Sequence, residues 1–130
     1  MGLGVGVYLV SAANMPKQAP FQQSSVFQTV SAPVFGEELA DRVVIDTRTA
    51  EEFGSGHLPQ AINLDFYAPD FRAQLQQLDR DTPYAIYCRS GNRSGQTLSL
   101  MKALGFTNVQ DLRGGIVAWQ AAGNILCTTC

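Results

Sequence analysis

From Val26 onward, short apolar runs alternate with stripes of helical spacing. Val26–Val30 predicts a short strand and Glu37–Ala40 a short helix. Val43-Val44-Ile45 is a continuous apolar run, as expected for a strand buried on both faces. Thr49–Phe53 predicts a short helix, because Thr49 with Glu52 three places on fits a capping box. Ile62–Leu64 predicts another strand. Phe71, Leu75 and Leu78 then recur at helical spacing. Tyr84–Tyr87 predicts a second buried strand. Leu98, Met101 and Leu104 form a further helical stripe, closed by Gly105. Val109–Leu112 predicts the last strand and Ile116–Ala121 the last helix. Strands alternating with helices predict an α/β fold: a small, mainly parallel sheet with helices on both faces. Such folds bind ligands beyond the carboxyl ends of their strands. Asp46 and Cys88 close two of the predicted strands at that edge.

Composition adds bounds. At 130 residues and 45% hydrophobic, the chain suffices for one domain with one core. A net charge of −2 gives no electrostatic reason to expect nucleic acid as a partner. No apolar run reaches the ~18 residues of a spanning helix. Residues 1–25 are read as an N-terminal tail. Met1–Val10 is apolar and glycine-rich, and Ser11-Ala12-Ala13 is of the kind a signal peptidase accepts, but no Lys or Arg precedes Lys17. A cytoplasmic location is expected, with export or tethering through this segment as the alternative. The folded domain is expected over 26–126, followed by a Cys-Thr-Thr-Cys tail at 127–130. Three cysteines exclude a disulfide-dense scaffold.

The candidate chemistry lies in Cys88-Arg89-Ser90-Gly91-Asn92-Arg93-Ser94, between a buried strand and an amphipathic helix. Gly91 permits a tight turn and Asn92 tolerates left-handed geometry. A loop closing onto a helix N-terminus can aim several backbone N–H groups at one point and so cradle an anion. Arg89 and Arg93 add positive charge. A cysteine at the base of such a cradle has its thiol pKa lowered and is present as the nucleophilic thiolate.

The sequence here resembles the rhodanese family over residues 26 to 126. Asp46-Thr47-Arg48, Glu51-Glu52-Phe53, Gly56-His57-Leu58-Pro59 and Ala61-Ile62-Asn63-Leu64 look like its first signature. Tyr87-Cys88-Arg89-Ser90-Gly91-Asn92-Arg93-Ser94 resembles the active-site loop, and Leu112-Arg113-Gly114-Gly115-Ile116-Val117-Ala118-Trp119 the closing signature. Gln60 stands where the family often has glycine. The resemblance implies a sulfurtransferase working by a ping-pong reaction through a Cys88 persulfide. Its partners would be small sulfur-containing anions such as thiosulfate, then cyanide or a thiol acceptor. No metal and no organic cofactor is implied.

Other residues are weighed against that reading. Arg89 is expected to hold the anionic donor. Arg93 can face a carboxylate or the substrate, and both remain open. Asp46 and Arg48 are expected to support the site from beneath, with Arg93 or Arg48 as partner for Asp46. His57 is the only histidine, but in the resembling family this element is a structural turn. Glu51 and Glu52 read as helix surface or N-terminal charges, and Trp119 with Phe106 as core. Cys127 and Cys130 read as a redox pair or as exposed residues on a frayed end, and the chain offers too few further ligands for zinc. Two rivals stand beside the sulfurtransferase. A cysteine phosphatase or arsenate reductase would use a similar loop with one residue more than the four between Cys88 and Arg93. A non-catalytic rhodanese-like binding module often lacks the cysteine.

Overall fold

A computed structural model describes residues 25–130; the tail expected over 1–25 lies, except for Ser25, outside the described residues. The strands are β1 (Val26–Val30), β2 (Val43–Asp46), β3 (Ile62–Asn63), β4 (Tyr84–Tyr87) and β5 (Asn108–Leu112). The helices are α1 (Ala32–Glu38), α2 (Ala50–Gly54), α3 (Phe71–Gln76), α4 (Asn92–Ala103) and α5 (Gly115–Ala121). The strands form one sheet in the order β1-β5-β4-β2-β3, and every pairing is parallel.

Alternation along the strands divides the core into two layers. Val44, Ala85, Tyr87 and Leu112 face one side and pack with Phe35, Ile116 and Trp119 of α1 and α5. Ile45, Tyr84, Ile86 and Val109 face the other and pack with Phe71, Leu75 and Met101 of α3 and α4. Trp119 and Phe106 are both core, in opposite layers. The central β4 is buried along its whole length, which is why it reads as an unbroken apolar run.

One helix differs from expectation. The Glu37–Ala40 helix is the end of a longer segment: α1 starts at Ala32 and passes into a 3-10 turn at Leu39–Asp41. Pro33 stands in the first turn, where its missing N–H has no intrahelical partner to lose. Ala32 and Phe35 are the residues this helix buries. The capping box of α2 forms as read, with Thr49 accepting from the Glu52 N–H.

The C-terminal residues are docked. Cys127 and Cys130 form a disulfide. The backbones of His57 and Cys127 exchange two hydrogen bonds of 2.8 Å each. The His57 ring is buried, stacks on Phe53 at 3.9 Å between centroids, and places Nε2 2.8 Å from the Cys130 backbone oxygen. No helix among the described residues is long and apolar enough to cross a membrane.

Candidate active site

The parallel order places the carboxyl ends of β2 and β4 side by side, with Asp46 opposite Tyr87 in register. Cys88 therefore emerges at the middle of the sheet's C-terminal edge. The chain turns through Arg89-Ser90-Gly91 into α4. Gly91 has φ of 111°, a conformation that strains residues with a Cβ. That turn lets the Gly91 N–H donate to Cys88 Sγ at 3.0 Å. Burial alone pushes the Cys88 thiol up. The Ser94 hydroxyl and the N–H groups of Ser94, Gly91 and Ser90 oppose it, and the result lies below the ordinary cysteine value. The sulfur sits at the base of the cup, since Cys88 is only 1% exposed.

The loop is held from two sides. From the α5 side, the Ile116 N–H donates to the Cys88 carbonyl at 2.9 Å and the Val117 N–H to the Arg89 carbonyl at 3.2 Å. Gly115, with φ of 59°, makes this approach possible, because a Cβ there would collide with the Cys88 and Arg89 carbonyls. Gly115→Ala should therefore lower stability by about 3 kcal/mol, combining left-handed strain with overpacking. It should also depress Cys88 reactivity. Urea denaturation and thiol alkylation check the two parts, and a change below about 1 kcal/mol would mean that the loop yields freely.

From the α2 side, Arg93 forms a two-pronged pair with Glu52, at 2.7 and 3.0 Å. This decides the orientation of Arg93: it faces a carboxylate. The Arg93 pair, followed by the backbone and hydroxyl of Thr49, holds the Glu52 carboxyl down at about 2 against burial. A depressed carboxyl contributes stability above its unfolded pKa and loses it as pH falls through the folded value. The clamp should therefore weaken between pH 4.5 and about 2. Glu52→Gln should remove that part of the acid transition and cost about 1 kcal/mol at neutral pH. Thermal melts over that pH range read both effects.

Beneath the loop, Asp46 pairs with Arg48, not with Arg93. Arg48 Nη2 lies 2.7 Å from Asp46 Oδ2, and both residues are buried. Arg48 Nη2 also donates to the Gly56 carbonyl at 2.6 Å. The Tyr87 hydroxyl donates to Asp46 Oδ2 at 2.6 Å and accepts from the Leu58 N–H at 3.0 Å. Burial, with the Asp46 charge beside it, pushes the Tyr87 phenol far up, so it stays a donor. Asn63 Nδ2 ties the turn by donating to the Asp46 and Arg48 carbonyls.

Arg89 is exposed and takes no part in the ion pairs Arg42–Glu38, Arg48–Asp46 and Arg93–Glu52, so its charge is available at the mouth of the cup. Ser90 and Asn92 are exposed beside it, and Ser94 is buried. Tyr67, 66% exposed, lies against the Arg93 guanidinium, 5.7 Å from its ring centroid. The His57 ring nitrogens are committed to the backbone oxygens of Phe53 and Cys130. Sequence pattern alone gives Tyr87 and Gly115 no role beyond their place in the family-like motifs, and does not name Glu52 as the carboxylate for Arg93. Tyr87 adjoins Cys88 and is the one polar side chain in β4 on the Asp46 side of the sheet, which is a usable signal. The Glu52 clamp spans 41 positions and leaves none.

Fold and loop together define an α/β domain with a buried cysteine cradled at the carboxyl edge of a parallel sheet. The chain belongs to the rhodanese-like domain family, which matches residues 31–122. A protein of Allochromatium vinosum named sulfurtransferase is 36% identical over 83 residues, covering 64% of this chain and 76% of the relative. The chloroplastic thiosulfate sulfurtransferase 16 of Arabidopsis thaliana is 33% identical over 113 residues, covering 78% and 94%. Among solved structures, a rhodanese-related protein from Thermoplasma volcanium superposes with a TM-score of 0.71 at 27% identity, over 78% of this chain and 99% of that one.

Proposed function

We propose that this rhodanese-family protein is a thiosulfate sulfurtransferase in which Cys88 carries the sulfur. The observation that carries the reading is the Gly91 N–H donating to the buried Cys88 Sγ at 3.0 Å, in a loop whose Ser94 and Ser90 N–H groups also favour the thiolate. The thiolate attacks the outer sulfur of thiosulfate. A sulfur–sulfur bond forms to Cys88, the bond to the sulfite sulfur breaks, and sulfite leaves with its electron pair. Cyanide or a thiolate then takes the outer sulfur and returns Cys88 as thiolate. The same N–H groups stabilise the anionic persulfide. Arg89 steers the dianionic donor to the cup, and no step calls for a metal or an organic cofactor.

Two observations favour this over the phosphatase. The loop is one residue shorter than the phosphatase type. Arg93, the position that would grip a phosphate, is spent on Glu52. The retained, cradled cysteine disfavours a pure binding module. Treating the protein with thiosulfate and weighing it intact should show one added sulfur, removed by cyanide as thiocyanate. No gain at Cys88, or efficient hydrolysis of aryl phosphates, would overturn the proposal.

A further inference from the structure

Asp111 is a buried carboxyl that the mechanism above does not use. It lies near the carboxyl end of β5, between two neighbouring strands: register places it beside Thr29 of β1 and Ile86 of β4. Cys88, two residues beyond Ile86, falls on the same face, and α4 covers that face with Ser94. Asp111 is 3% exposed and Ser94 is fully buried. Asp111 Oδ2 accepts from the Thr29 hydroxyl at 3.2 Å. Asp111 Oδ1 is buried with no hydrogen-bond partner among the described residues. Ser94 lies on the buried face of α4 with Thr97 and Met101, near both the Asp111 carboxyl and the Cys88 sulfur but bonded to neither; the one hydrogen bond of its hydroxyl among the described residues is a long contact of 3.5 Å to the Gly91 carbonyl.

Proton counting on this row is restrictive. A serine hydroxyl has one proton to give and lone pairs to receive. An ionised Asp111 would compete with the Cys88 thiolate for that proton. A neutral Asp111 instead gives its own proton to Ser94 Oγ and leaves the serine proton for sulfur. It also satisfies the unpartnered oxygen. We propose that Asp111 is a positioning residue: as a neutral carboxylic acid it donates to Ser94 and turns the serine hydroxyl onto Cys88. The assignment rests on the reading of Cys88 as the reacting thiolate. The surroundings agree. Thr29, Ser94 and, beyond Ser94, Cys88 face the carboxyl, and no cation pairs with it among the described residues. Burial pushes the Asp111 carboxyl up against the hydroxyls of Ser94 and Thr29.

The test is the pH profile of Cys88 alkylation by iodoacetamide, with the Cys127–Cys130 disulfide left intact. Asp111→Asn keeps a donor toward Ser94 and should keep the wild-type midpoint. Asp111→Ala and Ser94→Ala should each raise the midpoint, slowing alkylation at neutral pH by about tenfold, the scale of one hydrogen bond to a charged group. The double variant should be no slower than Ser94→Ala, because Asp111 acts through Ser94. If Asp111→Ala does not fold, Asp111→Asn still decides. Its melting temperature at neutral pH should exceed that of wild type, since a carboxyl whose folded pKa is raised loses stability as pH rises above its unfolded value. The infrared band of a protonated carboxylic acid should be present in wild type and absent from Asp111→Asn. Additive effects in the double variant, an Asp111→Asn midpoint shifted like that of Asp111→Ala, or a wild type without that band would each overturn the proposal. Failure of the sulfur-carrier reading would show separately, as no persulfide in wild type with its alkylation profile intact.

Discussion

Cys88→Ser should reduce thiosulfate:cyanide sulfur transfer to background while leaving the melting temperature nearly unchanged. Three physical points combine. The proposed persulfide needs a sulfur at position 88, because it would be held by a sulfur–sulfur bond. The cradle that favours a thiolate faces a far harder task with a hydroxyl, whose pKa lies many units higher. The substitution also preserves the local packing. Serine is slightly smaller than cysteine, and its oxygen can accept from the Gly91 N–H as the sulfur does. The expected stability change is therefore within about 1 kcal/mol. Steady-state thiocyanate production and a thermal melt check the two halves. A Cys88→Ser protein that kept most of its rate would remove Cys88 from the chemistry. In contrast, replacing the exposed Arg89 should raise the thiosulfate concentration needed while the persulfide still forms at saturation.

The largest expected loss of stability comes from breaking the Asp46–Arg48 pair. Both residues are buried, and Asp46 is fully so. Arg48→Ala leaves the Asp46 charge with the Tyr87 hydroxyl and the Arg48 backbone N–H as its bonds. An uncompensated buried charge costs about 3–5 kcal/mol. The same change frees the Gly56 carbonyl, so the α2–β3 turn loses its tie to the site. Arg48→Met combined with Asp46→Leu removes both charges and should recover a large part of the loss. Urea denaturation of the single and double variants measures this. A loss below about 1 kcal/mol for Arg48→Ala would mean that water reaches Asp46 and the pair is effectively at the surface. The activity should fall with stability, because Tyr87 joins this network and its neighbour is Cys88.

What could be read from the chain was local or periodic. The β2 and β4 strands were legible because burial on both faces leaves an unbroken apolar run. The α2 start was legible because a capping box is complete within four consecutive residues. The 88–94 loop was legible for the same reason: glycine, cationic residues and a helix start lie next to the cysteine. The start of α1 was not, because the buried Ala32 and Phe35 are too few to set a period and a proline stands between them.

The pairings across the sheet were beyond any pattern in the chain. Arg93 and Arg48 both carry a guanidinium near the loop, and nothing in their spacing says which carboxylate each one meets. The parallel register decided it by setting Asp46 against Tyr87 and bringing α2 beside α4. Asp111 could be any polar residue at a strand end until β1 and β4 closed around it. Gly115 could be any turn glycine until α5 came to lie against the Arg89 carbonyl. The sequence thus determined which loop is the candidate for the chemistry, with Cys88 at its start, through contacts between neighbours. The tertiary structure alone decided which charges are spent on each other and which remain for a substrate, because that depends on distances between residues far apart in the chain.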